Sequence, residues 1–531
     1  MSQGSAAERA RAAASPERAW RALSAAITLA AVLLYFIVAA GARDNLQNDS
    51  AYYFGVARFM AETGHFAEPI VWHYLSPPPA IVHPPFDYWG GLLSLVLAPV
   101  LAVFGATERV AFLFMAAVSA ASVVAFHHLV ERAAPLKSPV VRVVALVVFA
   151  FSPGVFNHRL DTETIALYHL LLIGSLLAFA RARYPLAVLL SALVFLTRPD
   201  GVFVFVAVTL AAALALRRRH PESVRRAWGW LLGVAGGAVS LYVGYRLVAF
   251  GSPGGATARA LFVFDPRELY AYGASPEVSW EKVRVLTSAH YLRIRAQMVL
   301  QGLRFAELVP WPEPWLAASL LGLGALRRGR APVVLLVWVM VPACLYLVLW
   351  SEPGVFVPWR SLHPLLPLVV LGGGYGADAV VERLRPALAR LGRAGAWAGG
   401  AGLALAAALV IARVPIRSER PRAVNHAELD ALRALDVTFA GQAVASDRPW
   451  YVIALTGSPA ISIPGNGEAA MIAALERYRV EWLVFRGEHA STAGSRGTLD
   501  AIARGERRAL GPFRLERVRA GAGLEVFRLR R

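Results

Sequence analysis

The sequence predicts an all-α polytopic membrane protein that ends in a small α/β domain. Of the 531 residues, 57% are hydrophobic and only 17% are charged, against about 45–50% and about 25% in an ordinary soluble domain. Mean hydropathy is +0.51, and apolar runs of membrane-spanning length recur as far as residue 414. From residue 415 onward the runs shorten to strand length and charged residues become frequent. This pattern excludes a soluble enzyme, a disordered chain and a disulfide scaffold.

The net charge of +19 comes almost entirely from arginine, because Lys137 and Lys282 are the only lysines. The arginines cluster in short loops between apolar segments, where the positive-inside rule places them on the cytoplasmic side. They do not alternate with aromatic residues as in single-strand nucleic-acid binders. We therefore expect no nucleic-acid partner. The single cysteine, Cys344, cannot form an internal disulfide and does not report the redox compartment.

About eleven transmembrane helices are predicted, the first starting in the cytoplasm. The apolar runs cover residues 22–40, 109–130, 142–157, 163–180, 185–197, 201–216, 228–250, 314–326, 332–350, 364–381 and 395–414. A further apolar segment, 86–104, would move most loop arginines to the outer side if it crossed, against the positive-inside rule. Gly90, Gly91 and Pro99 suit a broken element. We interpret this segment as an interfacial or re-entrant helix.

The stretch 184–216 is too long for one spanning helix, since 33 residues would measure about 50 Å against an apolar core of about 30 Å. The sequence Thr197-Arg198-Pro199-Asp200-Gly201 in its middle is a turn signal. We therefore predict a hairpin of two short helices.

This topology divides the chain into a membrane module, 1–414, and an extracytoplasmic α/β domain, 415–531. The outer loops of the module are 42–108, 251–312 and 351–363. In the tail, the segments 442–446, 460–463 and 480–485 have the composition of strands, and 466–478 is predicted to be a helix.

Polar residues gather on the outer side in four stretches, 45–66, 83–89, 157–164 and 357–364. In the first, apolar residues at helical spacing (Tyr53, Val56, Ala57 and Met60) predict an amphipathic helix on the membrane surface, with Asp49 just before it. Asp49 is either a helix cap or a chemical group.

The other polar residues also have two interpretations each. His83, which Pro84 and Pro85 hold in a stiff segment, is a surface histidine or a ligand. Asp161 and Glu163 open a membrane helix, where carboxylates favour the positive end of the dipole. Arg198 pairs with Asp200 or binds a substrate anion. Arg360 is an interfacial anchor or an anion ligand.

Together these motifs resemble the GT-C superfamily of membrane glycosyltransferases that use polyprenyl-phosphate-linked sugars. The nearest branch contains the protein O-mannosyltransferases and the lipid A aminoarabinose transferases. The matching segments are an acidic residue heading a surface helix (NDSAYYFGVARF), an HPP-aromatic motif (HPPFDYW), an R-x-D-T helix start (RLDTET), an LT-R-P-x-G turn (LTRPDG) and a late R-x-x-x-P-x-x-P segment (RSLHPLLP). They stand in the family's order over roughly residues 20–370.

Two positions depart from the family pattern. The acidic pair of the first motif is Asp49-Ser50 here, with one carboxylate, and Val82 stands where some members carry an acidic residue. Both departures weaken any metal site transferred from relatives. A divalent cation is therefore an option, and no cofactor is required.

The resemblance implies inverting transfer of a hexosyl or pentosyl group from a polyprenyl-phosphate donor to a hydroxyl on the extracytoplasmic side. Asp49 would be the catalytic base, and Arg360, Arg198 and His83 would bind the donor phosphate. Asp161 and Glu163 would support these groups or a metal. The aromatic residues would contact sugar or acceptor, although interfacial anchoring explains them equally well; they are Tyr52, Tyr53, Tyr88 and Trp89.

The expected partners are the membrane-embedded lipid donor and an acceptor glycan, lipid or protein. The expected location is the plasma (inner) membrane of a bacterium, with several spans and the C-terminal domain outside. The alternative is a transporter or flippase of a lipid-linked substrate. Transporters tend to have two related halves with interrupted helices and ionisable residues near the midplane. Here the ionisable residues lie at outer helix ends, which favours the transferase.

Overall fold

The computed structural model describes most of the chain, with gaps. It covers residues 6–41, 46, 48–133, 136–217, 221–254, 266–274, 280–293, 363–390, 426–435, 439–486, 494–521 and 524–531, with single positions at 256, 259, 263 and 297. The predicted spans 314–326, 332–350 and 395–414 lie outside these residues.

Helices make up the membrane module. Their bounds are α1 Ala6–Gly41, α2 Asn48–Thr63, α3 Leu92–Phe104, α4 Glu108–His128, α5 Pro139–Phe151, α6 Pro153–Leu160, α7 Ile165–Ala180, α8 Tyr184–Thr197, α9 Gly201–Arg217, α10 Pro221–Phe250, α11 Trp280–Leu286 and α12 Leu366–Arg390. A π-helical turn, Leu129–Ala133, extends α4, and short 3-10 turns form at Pro266–Tyr270 and His363–Leu365.

These helices follow the predicted apolar runs within the described residues. Among those residues, four helices are long and apolar enough to cross a membrane: Glu17–Gly41, Glu108–Ala133, Trp228–Phe250 and His363–Arg383. Five more apolar helices are shorter. The run 142–157 divides into α5 and α6 at Ser152, because Pro153 cannot donate a backbone hydrogen bond and instead starts the next helix. The total of about eleven spans stays a prediction.

The hairpin predicted over 184–216 is confirmed. α8 and α9 pack against each other and are joined by residues 198–200, where Gly201 N–H donates to the Arg198 carbonyl at 2.9 Å. The segment 86–104 is helical only from Leu92, as α3, and residues 86–91 form an irregular loop before it. This loop enters the candidate site.

A mixed seven-stranded sheet forms the core of the tail. Its strands are β1 Ile70–Val71, β2 Val444–Ser446, β3 Ala460–Ser462, β4 Trp482–Phe485, β5 Ala509–Leu510, β6 Phe513–Gly521 and β7 Leu524–Arg530, in the order β1-β3-β2-β4-β7-β6-β5. The first four in that order are parallel and the rest are antiparallel. The three predicted strands and the helix between β3 and β4 are present. The helices are α13 His426–Arg433, α14 Pro449–Thr456, α15 Glu468–Arg477 and α16 Arg496–Ala503.

The sheet is not confined to the tail. β1 comes from the outer loop 42–108 and pairs with β3, through Ile70 opposite Ala460 and Val71 opposite Ile461. The first outer loop and the tail therefore share one sheet, whereas the sequence predicts strands in the tail alone.

α2 is a helix as predicted, but it is covered on more faces than an amphipathic surface helix would be. Its predicted apolar face is buried, and so are Ala51 and Phe54. The reason is that α14 of the tail packs against α2 while α3 packs on another side. Gly55 permits this approach, since a Cβ there would lie 2.6 Å from Cγ1 of Ile453. α2 is thus held between the tail and the membrane module.

Candidate functional site

The first turn of α2 lies against the segment that joins α6 to α7. Thr162 donates its hydroxyl to the backbone carbonyl of Ser50 at 2.7 Å, and both residues are buried. Asp49 lies in the first turn of the helix rather than before it. The helix dipole favours a carboxylate at that position. The contact therefore places the first turn of α2, which carries Asp49, against the acidic segment 161–163.

Three buried side chains of this segment form a cluster suited to a cation. One ligand atom from each of His158, Asp161 and Glu163 lies within 4.8 Å of the others. Nδ1 of His158 is 3.1 Å from Oε2 of Glu163. His158 also faces His363, with ring centroids 5.0 Å apart. The cluster thus combines one imidazole with two carboxylates, a donor set found in zinc and other transition-metal sites.

The α8–α9 turn places a positively charged side chain, Arg198, in the same region. Nε of Arg198 donates to Oδ1 of Asp200 at 3.1 Å, so the pairing alternative considered from the sequence is realised. Burial raises the pKa of Tyr53, with the Arg198 charge opposing this effect and the Asp49 carboxylate adding to it. The hydroxyl of Tyr53 therefore lies within electrostatic range of both groups.

A glycine brings the loop 86–91 against this turn. A Cβ on Gly90 would lie 2.3 Å from the Thr197 carbonyl oxygen and 2.8 Å from the backbone nitrogen of Arg198. Only glycine permits this approach. Its consequence is that Trp89, the preceding residue, is placed beside the turn that carries Arg198.

The aromatic residues predicted to contact a sugar form one cluster around Trp89. Its ring centroid lies 5.3 Å from Tyr88, 6.0 Å from Tyr52 and 6.1 Å from Tyr53. Trp72, which the sequence analysis did not single out, joins at 5.5 Å from Trp89. Trp89 remains partly exposed while the three tyrosines are buried.

Both ring nitrogens of His83 have partners inside the protein. Its Nε2 lies 3.1 Å from Oε1 of Glu68, and its Nδ1 lies 2.9 Å from the Ile81 carbonyl. The other carboxylate oxygen of Glu68 accepts the Tyr52 hydroxyl. Burial alone would lower the pKa of His83, but the hydrogen bond and charge of Glu68 outweigh it and the pKa lies above its usual value. Glu68 thus favours the protonated form of His83, and both ring nitrogens of His83 have partners inside the protein.

A buried ion pair fixes the other end of the same loop. Nη2 of Arg246, in α10, is 3.1 Å from Oδ1 of Asp87 and also donates to the Asp87 carbonyl at 2.8 Å. Nη1 of Arg246 donates to the Phe86 carbonyl at 3.0 Å, and the Tyr245 hydroxyl to the Pro85 carbonyl at 2.6 Å. α10 therefore holds the HPPFDYW motif in place.

A second buried arginine connects α6 to the start of α12. Arg159 is fully buried, its guanidinium lies 4.0 Å from the Phe149 ring centroid, and its Nε donates to Nδ1 of His169 at 3.2 Å. Because Nδ1 accepts, the proton of His169 is on Nε2, which lies 2.8 Å from the His363 carbonyl. This chain positions the backbone that follows Arg360, a residue that itself lies outside the described part of the chain.

The structure thus brings together Asp49, Asp161, Glu163, Arg198 and the four predicted aromatics around the first turn of α2. It places His83 in a separate, internally satisfied pair. The sequence does not indicate Glu68, His158 or Arg246 as site residues, although His158 lies within the polar stretch 157–164. Glu68 and Arg246 carry no local signal, because their partners lie far from them along the chain.

No family model and no curated protein matches this sequence. Solved structures do match by fold. The oligosaccharyltransferase AglB of Archaeoglobus fulgidus, in complex with an inhibitory peptide and a dolichol-phosphate, aligns with a TM-score of 0.55 at 13% identity, covering 87% of this chain and 69% of that one. Another structure of the same enzyme, in complex with Zn and sulfate, aligns with a TM-score of 0.54 at 15% identity, covering 87% and 68%. ArnT of Cupriavidus metallidurans bound to undecaprenyl phosphate aligns with a TM-score of 0.54 at 12% identity, covering 96% and 98%.

These similarities establish the fold. The chain has the architecture of AglB and ArnT, which are GT-C superfamily membrane glycosyltransferases. The fold expected from the order of the five motifs is therefore confirmed.

The His83–Glu68 pair should make stability depend on pH. An unfolded histidine has a pKa of about 6.5, and the pKa of His83 is raised in the folded protein. The stabilisation is therefore fully present below pH ~6.5 and is lost as the pH rises through the folded pKa. We expect His83→Gln to lower the unfolding free energy at pH 6 by about 1.5–3 kcal/mol, with a smaller deficit at pH 9.

Thermal unfolding of the purified protein across this pH range measures the effect. His65→Gln is the control, because His65 is an exposed histidine in the same loop. A deficit of the same size at every pH would contradict a charged His83.

Proposed function

We propose that this protein transfers a sugar, with inversion, from a polyprenyl-phosphate-linked donor to a hydroxyl group of an acceptor on the extracytoplasmic side of the membrane. The observation that carries the proposal is the meeting of Asp49, the 158–163 cluster and Arg198 at the first turn of α2, in the fold of AglB and ArnT. The AglB and ArnT structures contain dolichol-phosphate and undecaprenyl phosphate respectively. The acceptor is a glycan, a lipid or a protein.

Asp49 accepts the proton of the acceptor hydroxyl. It lies in the first turn of α2, where the positive end of the helix dipole stabilises the carboxylate. That stabilisation makes Asp49 a weak base. Proton transfer therefore comes late, after the bond from the sugar to the leaving phosphate has largely broken.

Arginine stabilises the negative charge that develops on the leaving phosphate. Arg198 is oriented through its Nε by Asp200, and within the described residues no hydrogen bond engages its two Nη groups. These can donate in parallel to a phosphate. Arg360 supplies a second guanidinium in this proposal. His83 does not keep the phosphate role expected from the sequence, because Glu68 and Ile81 occupy its ring; it positions the loop instead.

The 158–163 cluster fits a divalent cation. Its three donor atoms come from buried side chains on one short segment, and one imidazole with two carboxylates is a common set for Zn²⁺ or Mn²⁺. His158, Asp161 and Glu163 would hold the ion. A cation there would supply fixed positive charge close to the donor phosphate.

The aromatic cluster forms one wall of the sugar site. Trp89 is its partly exposed member and is surrounded by the buried rings of Tyr52, Tyr53 and Tyr88. A rigid aromatic face of this kind packs against the apolar side of a sugar ring. The loop contacts made by Arg246 and His83 keep this wall in place.

Asp49→Asn should abolish transfer, because the amide cannot accept the proton, and a general base contributes about 10²–10⁴-fold to rate. Mass spectrometry of envelope glycans and lipids from a strain lacking the gene identifies the missing product. Complementation with Asp49→Asn should leave that product missing, whereas Glu62→Gln, an acid-to-amide change at the exposed end of the same helix, should restore it.

Two results would count against this assignment. If the Asp49→Asn variant fully restored the missing product, Asp49 could not be the base. An unchanged glycan and lipid profile in the deletion strain would contradict the proposal that the protein is a transferase.

Purified protein should contain about one divalent cation per chain, bound by the 158–163 cluster. Inductively coupled plasma mass spectrometry measures the content, and Asp161→Asn and Glu163→Gln should each lose the ion. Chelation should lower the unfolding temperature of the wild type more than that of Asp161→Asn. Asp430→Asn, which changes an exposed carboxylate of α13, is the control. Equal metal content in all four proteins would show that the cluster is an ion-pair network only.

A further inference from the structure

We propose that a cavity at the end of α1 binds the headgroup of an anionic phospholipid, at a site separate from that of the sugar donor. The cavity is an open cleft with a volume of about 470 Å³, and it is lined by the end of α1, one face of α2, the start of α4, and α13 and α14 of the tail. Because α1 and α4 are both long and apolar enough to span a membrane, their ends mark a membrane interface.

Guanidinium groups dominate the charge of the cavity lining. Arg58, Arg109 and Arg433 line it, and among the described residues Glu108 is the one lining carboxylate. Arg58 is oriented by Glu62 at 2.7 Å, and Arg433 by Glu108 at 2.8 Å. Arg433 also pairs with Asp430 at 2.9 Å, and neither Glu62 nor Asp430 lines the cavity.

Arg109 supplies the charge that is not neutralised. Its side chain is exposed, and among the described residues no carboxylate pairs with it. The carboxylates of Glu62 and Asp430 are 42% and 68% exposed, so solvent screens their effect on a ligand inside the cavity. An anion in the cavity therefore meets mainly guanidinium groups, which bind phosphate with parallel hydrogen bonds.

The N-terminus of α4 adds to this preference. Thr107 caps the helix by accepting from the backbone nitrogen of Val110 at 3.3 Å, and Thr107, Glu108 and Arg109 all line the cavity. The first backbone N–H groups of a helix have no partner within the helix, and they attract anions. The arginines and the helix end thus act on the same volume.

An exposed apolar stripe continues from the cavity along α1. Ala40 lines the cavity, and Ile37, Leu33 and Leu29 follow on the same face at helical spacing, with exposures of 66%, 53% and 59%. Val103 and Phe104, at the end of α3 just before the cavity-lining segment, are 74% and 72% exposed. A phospholipid whose phosphate lies in the cavity could therefore place its acyl chains along α1. Free phosphate would make no use of this apolar stripe, so the stripe favours a membrane lipid.

This site is distinct from the candidate transferase site. Asp49 and Arg58 are nine residues apart in α2, which places them on opposite sides of a helix with about 3.6 residues per turn. The first turn of α2, which carries Asp49, contacts Thr162 of the 158–163 segment, whereas Arg58 donates to the Ala454 carbonyl of α14 at 3.1 Å. α2 therefore separates the two sites.

Native mass spectrometry of the full-length protein, titrated with phosphatidylglycerol, tests the proposal. Arg109→Ala should weaken binding about fivefold, the contribution typical of one basic residue at an anionic lipid surface. Ala40→Trp should weaken it at least as much, because the indole fills the cavity without changing its charge. Arg183→Ala is the matched control, since Arg183 is an exposed arginine just before α8, and it should bind as the wild type does.

Further measurements distinguish a phospholipid in the cavity from a lipid in the donor site and from free phosphate. Arg198→Ala should leave phosphatidylglycerol binding unchanged; loss in Arg198→Ala but not in Arg109→Ala would place the lipid in the donor site and overturn the proposal. Equal affinity for phosphatidylcholine would overturn the preference for an anionic headgroup. Displacement of the lipid by inorganic phosphate alone would indicate a free-anion site and also overturn the proposal. If Ala40→Trp fails to fold, Arg109→Ala decides, because its exposed side chain can be removed without disturbing the core.

Discussion

The position of α2 is the constraint on which the rest of the site depends. At its start, the Ser50 carbonyl accepts the Thr162 hydroxyl and so joins the helix to the α6–α7 segment. In its middle, Gly55 allows Ile453 of α14 to approach closely. A helix fixed at both points presents Asp49 to the 158–163 cluster and Arg58 to the opposite cavity. The tail is therefore part of what positions Asp49, the proposed base, which gives a structural reason for its presence in the chain.

Buried charge pairs hold the loop that completes the site. One pair, Glu68 with His83, joins two parts of the same loop, and the other, Asp87 with Arg246, joins this loop to α10. Removing one partner of a buried ion pair such as Asp87–Arg246 typically costs about 3–5 kcal/mol, because the other charge is left without compensation. The loop 64–91 has little regular secondary structure, so these pairs and the backbone bonds of Arg246 are what make it rigid enough to hold Trp89 beside Arg198.

Much of the fold was predictable because its signals are local. Runs of apolar residues predict the helices, the turn signal at 197–201 predicts the α8–α9 hairpin, and the helical spacing of apolar residues predicts α2. The surroundings of α2 were not predictable, because its cover is α14, some four hundred residues later. The same holds for β1, since two residues of a loop give no sign that they will pair with a strand of the tail.

The candidate site shows the same division. Asp49, Asp161, Glu163 and Arg198 were identified from motifs, and the structure places them together. His83 was assigned to phosphate binding because the motif alone does not reveal that Glu68 will occupy its Nε2. Trp72 and Glu68 come from the loop segment before the HPP motif, where no spacing rule applies. Long-range contacts thus account for the residues that the sequence did not indicate.

In the proposed function, the first turn of α2 and the α8–α9 turn form one site for a lipid-linked phosphate. A cryo-electron microscopy structure of the protein in nanodiscs with undecaprenyl phosphate tests it most directly. The account predicts phosphate density in contact with the Nη groups of Arg198 and next to Asp49, with the lipid chain extending into the membrane. Phosphate density bound away from the first turn of α2, with Arg198 bonded only to Asp200, would contradict it.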